Sequence, residues 1–142
     1  MPETFISAPI RSKPSNDTPS IELTSSCSNS PKNSRVQQLV VAFAAGNLPD
    51  VMPFLTADTF WQLIGGPSFE GRGAVQAGIM AQPKPSRVRV THALSHGRVG
   101  AAELEIELTD RIVRCAELLQ FHDANCTRLQ SLSSYRIEVR HP

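Results

Sequence analysis

From residue 34 onward the spacing of apolar positions moves from a helical period to a strand period, and each change predicts an element. Val36, Leu39, Val40, Phe43 and Ala44 fall at i, i+3, i+4, i+7 and i+8, one face of a helix, with Ser34 as its N-cap and Gly46 as its terminating glycine. Asn47-Leu48-Pro49-Asp50 restarts a short second helix, because Asn caps and Pro is tolerated in a first turn, and Val51, Phe54 and Leu55 follow as its buried positions. The β-branched and aromatic run at 59–64, stopped by Gly65-Gly66-Pro67, predicts a first strand. A third helix over 71–82 turns Ala74, Val75, Gly78 and Ile79 inward and stops at Pro83 and Pro85.

Beyond Pro85 the period is two. Val88, Val90, His92 and Leu94 alternate with Arg87, Arg89, Thr91 and Ala93, and Leu104, Ile106 and Leu108 alternate with Glu103, Glu105 and Glu107. Two more runs, 112–122 and 127–139, are parted by Asp123-Ala124-Asn125, while Gly97-Arg98 and Thr109-Asp110 supply the earlier turns. The predicted architecture is α+β in the order α-α-β-α-β-β-β-β, three N-terminal helices packed in an antiparallel sheet. Strands this long coil strongly, so the sheet is expected to curve around a concave apolar space in which a function would sit.

Composition sets the boundaries. Residues 1–34 hold nine Ser, three Thr and five Pro with few apolar positions, which predicts a disordered tail whose removal leaves stability unchanged, ahead of one domain over 35–142. Fourteen Lys and Arg against thirteen Asp and Glu leave a net charge of +1, too little to hold a nucleic acid or an acidic membrane by charge. No run approaches the ~20 apolar residues of a membrane span and the first residues lack a secretory apolar core, so a cytoplasmic protein is expected. Cys27, Cys115 and Cys126 show no Cys-x-x-Cys spacing and are expected as reduced thiols. His92 and His96 share strand parity but stand about 13 Å apart at ~3.3 Å per residue, so no metal site is expected, and no other cofactor.

Three segments carry a family resemblance. Phe54-Leu55-Thr56-Ala57-Asp58-Thr59-Phe60-Trp61, the loop Gly65-Gly66-Pro67-Ser68-Phe69-Glu70-Gly71-Arg72-Gly73-Ala74-Val75, and Leu129 followed six residues on by Tyr135 resemble, in order and spacing, the nuclear transport factor 2-like superfamily, in particular its SnoaL-like polyketide cyclase and ketosteroid isomerase-like branch. The resemblance covers residues 35–139 and implies a cone-shaped fold with a pocket inside the curved sheet and a homodimer through its outer face. Its members include isomerases, cyclases, dehydratases, epoxide hydrolases and domains without known chemistry, so fold does not decide function.

Strand parity then selects candidate residues. Cys115, Glu117, Leu119 and Phe121 share one face, which puts Glu117 in an apolar environment that raises its pKa; with the opposite parity it lies on the outer face. The resemblance aligns Glu117 with the carboxylic acid that ketosteroid isomerases keep neutral to hydrogen-bond an enolate oxygen. His92, on the Val88-Val90 face, is a candidate general base or a structural imidazole. Trp61, Tyr135 and Phe121 are candidate pocket walls, Trp61 equally a core residue. Ser131 and Ser133 share a face with Tyr135, a polar stripe suited to a pocket lining or to a dimer face, and Ser133 is taken as a substrate contact. Against an isomerase mechanism, Gln62-Leu63-Ile64 stands where those enzymes carry an acidic base. The expected function is acid/base chemistry on an apolar polycyclic or terpenoid-like small molecule by Glu117 and His92. The alternative is a non-catalytic ligand-binding or dimerisation module.

Overall fold

The computed structural model describes residues 18–23 and 30–139. In chain order the elements are β1 (Ser20–Glu22), α1 (Pro31–Ala45), α2 (Leu48–Val51), a 3-10 turn (Met52–Phe54), β2 (Leu55–Leu63), β3 (Ser68–Glu70), α3 (Arg72–Ala81), β4 (Arg87–His96), β5 (Val99–Glu107), β6 (Ile112–Phe121) and β7 (Leu129–Val139). The strands form one sheet in the order β1-β4-β5-β6-β7-β2-β3. The fold is α+β with three helices, as the periodicity predicts. The sheet is not wholly antiparallel, since β1 pairs parallel with β4 and β2 parallel with β7.

α1 starts earlier than expected. Ser30, not Ser34, is the N-cap: its Oγ accepts the Asn33 backbone N–H at 3.1 Å, and Pro31 takes the first helical position, where a missing N–H costs nothing. Within the stretch 1–34 expected as a tail, residues 20–22 form a strand and 31–34 are helical, while residues 1–17 and 24–29 lie outside the described residues. β1 is held by its ladder to Arg87–Arg89 and by Glu22, whose carboxylate meets Arg87 at 3.0 Å and Arg89 at 3.8 Å.

α1 packs on β4 and β5, and α3 on β2 and β3. The inward face of α1 is the predicted one, with Val36, Leu39, Val40, Phe43 and Ala44 buried, and α3 contributes Val75 and Ile79. Burying each Val, Leu, Ile or Phe side chain among them is worth about 1.5–3 kcal/mol relative to exposure. α1 approaches closely enough that a Cβ on Gly100 would lie 2.8 Å from Val36 Cγ2, so any larger residue there would force Val36 to shift. At the other end of α1, Gly46 turns left-handed at φ 74° and its N–H closes the last turn onto Ala42 and Phe43.

Two strands change face part-way. In β4 the register shifts between Val90 and His92, so Val88 and Val90 point inward but beyond the irregularity Ala93 does, and His92 points out. In β7 the partner of Phe121 is Leu129 while that of Gln120 is Ser131; Gln130 is the extra residue, and Leu129, Leu132 and Ser134 are buried in turn. A bulge adds one residue to a period of two and therefore exchanges the faces beyond it.

Candidate functional site

β6 has no such interruption, and its inward face is the predicted one, with Cys115, Glu117, Leu119 and Phe121 all buried. Across the ladder these residues meet the inward residues of β7, Cys115 opposite Arg136, Glu117 opposite Ser134 and Leu119 opposite Leu132. Glu117 is 2% exposed. Ser134 Oγ donates to Glu117 Oε1 and accepts from Trp61 Nε1 at 3.0 Å, so one hydroxyl joins the indole to the carboxylate. Glu117 Oε2 faces Arg136 Nε at 3.6 Å, an ion-pair distance longer than a hydrogen bond, and neither atom has a hydrogen-bond partner. The Arg136 guanidinium also lies over the Trp61 ring, 5.8 Å from its centroid. Trp61 is fixed between Phe43 and Phe69, with ring centroids at 5.2 Å and 5.1 Å. Trp61, Ser134, Glu117 and Arg136 thus form a closed polar network inside an apolar core.

Burial pushes the Glu117 carboxyl above its ordinary range, opposed by the Arg136 charge and the Ser134 hydrogen bond. The same burial, with Glu117 adding to it and Arg136 opposing, pushes the Cys115 thiol up to about 12. Cys115 is an unreactive core group at neutral pH.

The network reaches the surface at a cleft of about 200 Å³ between the end of α1, the segment after α3 and the strands β5, β6 and β7. Ala44, Pro83, Ile106, Leu108 and Val113 give it apolar walls, and Gln82, Arg111, Arg136 and Glu138 give it polar ones. Glu117 is not on the cleft wall; Arg136 is. A separate hydrogen-bonded pair lies at the Phe121 end of the sheet. There Asp58 accepts from Thr56 and sits 3.1 Å from His122 Nε2, and these two neighbours hold its carboxyl below the usual range.

The other sequence-selected residues are not gathered at this network. His92 lies on the outer face, its side chain 68% exposed and its Nδ1 3.2 Å from Glu103, so it shares no cavity with Glu117. Tyr135 and Ser133 are turned outward by the Gln130 bulge, Tyr135 exposed and Ser133 half-buried. Trp61 is sealed in the core. Phe121 is buried four residues, about 13 Å, along β6 from Glu117. The groups that parity from Leu129 missed are Ser134, Arg136 and Glu138. The spacing of Leu129 to Leu132, three where a strand requires two or four, was the available signal of a bulge. Among the described residues no three His, Cys, Asp or Glu side chains gather as a metal-binding group, and no helix is long and apolar enough to cross a membrane.

No protein-family model and no curated protein sequence matches the chain. Solved structures do. A nuclear transport factor 2-like protein of unknown function from Burkholderia xenovorans is 18% identical, with 79% of this chain and 87% of that one covered at a TM-score of 0.67. A candidate ketosteroid isomerase from Kribbella flavida is 15% identical, with 79% and 82% covered at 0.66. The epoxide hydrolase/cyclase-like enzyme SalBIII of pyran ring formation in the polyether salinomycin is 14% identical, with 75% and 90% covered at 0.61. At these identities the likeness is one of fold, and it agrees with the motifs read around Trp61, Gly65-Gly66-Pro67 and Tyr135: the chain has the nuclear transport factor 2-like fold.

Proposed function

We propose that the protein binds a compact, largely apolar small molecule in the cleft beside Arg136 and acts on it by acid/base chemistry, with Glu117 as the proton-holding group. The observation that carries this reading is Glu117 itself, a carboxyl 2% exposed whose charged form is disfavoured and whose hydrogen bonds come from one serine on the opposite strand. A carboxyl in such surroundings keeps its proton into a pH range where solvent-exposed acids have lost theirs, which is the property a general acid needs. The cone-like, strongly curved shape that the resemblance implies fits a ligand space of this kind. The cleft volume, about 200 Å³ against the roughly 300–1,000 Å³ of ordinary ligand pockets, favours a compact ligand over a polycyclic one.

A second reading, ligand binding without turnover, is favoured by two observations. Glu117 is screened from the cleft, and Gln62, in the place of an isomerase's base, is exposed. Protein-observed NMR with a panel of compact neutral and acidic ring compounds separates these readings. Binders should shift the amides of Ile106 and Val113. Glu117→Gln should change their affinity, and it should cut any turnover by about 10²-fold or more, while His92→Ala on the outer face should do neither. Glu117→Gln behaving as wild type in both assays overturns the acid role.

The outer face carries a further proposal, a homodimer. Leu118, Tyr135, Ile137 and Val139 are exposed there beside Leu94, and the charges in their midst are already paired, Glu103 with His92 and Arg114. An apolar face with internally neutralised charge suits a second copy of itself. Light scattering should give twice the 15.5 kDa chain mass, reverting to one chain in Leu118→Arg. A wild-type monomer at micromolar concentration refutes it.

A further inference from the structure

The polar wall of the cleft includes two arginines, Arg136 and Arg111, each with a buried Nε–H that no hydrogen bond satisfies. Arg136 is 18% exposed at its side chain, and its Nε is buried without a hydrogen-bond partner. Arg111 continues the inward parity of Val113 and Cys115 to the mouth of the cleft, and its Nε is likewise buried without a hydrogen bond. A buried N–H without an acceptor is costly, more so on a charged group, so a site with two of them is incomplete until an acceptor arrives.

The surroundings hold Arg136 in place without a hydrogen bond to its Nε. The Trp61 ring lies under the guanidinium, and Glu117 stands 3.6 Å from Nε. A planar guanidinium fixed in this way presents a fork that fits the two oxygens of a carboxylate. Arg111 is less committed. Its Nε sits 3.4 Å from Glu138 and one terminal nitrogen 3.0 Å from Asp110, but Glu138 and Asp110 are 69% and 72% exposed at their side chains, and ion pairs in that setting contribute little.

From this arrangement we infer that the ligand of the cleft is a monocarboxylate with a compact apolar body, its carboxylate held by Arg136 and Arg111 and its body against Ala44, Pro83, Ile106, Leu108 and Val113. The inference rests on the ligand-pocket reading above and narrows it to a substrate class. Glu138 at the rim argues against ligands of higher negative charge, since a second anionic group would meet its carboxylate.

Benzoate and its neutral isostere benzamide distinguish the class from the pocket. Titrated into the wild-type protein and followed by the amides of Ile106 and Val113, benzoate should bind at least roughly 10-fold more tightly than benzamide, the scale of hydrogen bonds to charged groups. Arg136→Gln should abolish that preference. Arg111→Gln, at the more solvent-exposed position, should reduce it without threatening the fold, and phenyl phosphate should bind more weakly than benzoate. If benzamide binds as tightly as benzoate and Arg111→Gln changes nothing, the carboxylate class is wrong and the pocket stands. If neither compound shifts Ile106 or Val113, the pocket reading and this inference both fall.

Discussion

Ser134→Ala is the sharpest test of the buried network, because it deletes one oxygen and leaves two buried groups without their partner. Trp61 Nε1 has Ser134 Oγ as its acceptor and Glu117 Oε1 has the same hydroxyl as its donor, while the lost volume is a single atom. A buried polar group stranded in this way costs about 1–3 kcal/mol, so the two together predict a loss of about 2–6 kcal/mol. With a urea m-value of ~2 kcal/mol per molar, the unfolding midpoint should fall by about 1–3 M. The loss should also depend on pH in a defined sense. Burial already raises the Glu117 pKa and the Ser134 hydrogen bond opposes that, so its removal raises the folded pKa further. A group whose folded pKa is raised gives stability that is complete below its unfolded value of 4.5 and disappears as pH climbs through the folded value. The variant should therefore lie closer to wild type at pH 4.5 than at pH 8. A midpoint change below about 0.3 M, equal at both pH values, would show that the hydroxyl does not join these groups.

Three other outcomes follow from the packing. A chain beginning at Pro31 should be less stable than one beginning at Thr18 by about 1–2 kcal/mol in equilibrium denaturation, since it lacks the Ser30 cap and β1; equal stability would return this segment to a passive tail. Gly100→Ala should cost about 1–3 kcal/mol by driving a methyl against Val36, and Val36→Ala in the same chain should recover part of it; no recovery would place the strain elsewhere. Native protein treated with iodoacetamide at pH 8 should remain unlabelled at Cys115, whose thiol is pushed up to about 12, and label there only after denaturation; rapid native labelling read by mass spectrometry would contradict its burial.

The parts of the fold that could be read from the sequence are those where one period runs unbroken. Val36, Leu39, Val40, Phe43 and Ala44 form the buried face of α1, and Cys115 to Phe121 form the buried face of β6, because nothing between them adds or removes a residue. The failures cluster at bulges. In β4 the extra residue turns His92 outward, and in β7 Gln130 turns Ser133 and Tyr135 outward, so three of the six selected site residues were assigned to the wrong face by counting in twos. β1 was missed for a different reason. Its three residues have little apolar content, and what holds them is a ladder and a Glu22–arginine pairing made with a strand more than sixty positions away, which local pattern does not encode.

The placement of Glu117 is hard to explain by stability alone. Removing a carboxylate and a guanidinium from water costs several kcal/mol per ion, and a pair at 3.6 Å without a direct hydrogen bond recovers only part of that; a well-packed apolar pair of similar volume often does as well or better. The neighbours show that an apolar solution was open, since Leu119 faces Leu132 one inward pair further along the same two strands. Between that aliphatic pair and the cleft, the ladder instead carries Glu117 with Ser134 and then Arg136 opposite Cys115, a polar path from the sealed Trp61 to the solvent-facing wall. Arg136 has a role at both ends of it, restraining the charge of Glu117 within and offering unused donors without. A ligand anion of the kind proposed, on engaging Arg136, would weaken its hold on the Glu117 carboxylate and favour the protonated acid, so occupancy of the cleft and the proton on Glu117 would be coupled through one guanidinium. On that proposal the buried pair would have a chemical use that a leucine in its place would lack.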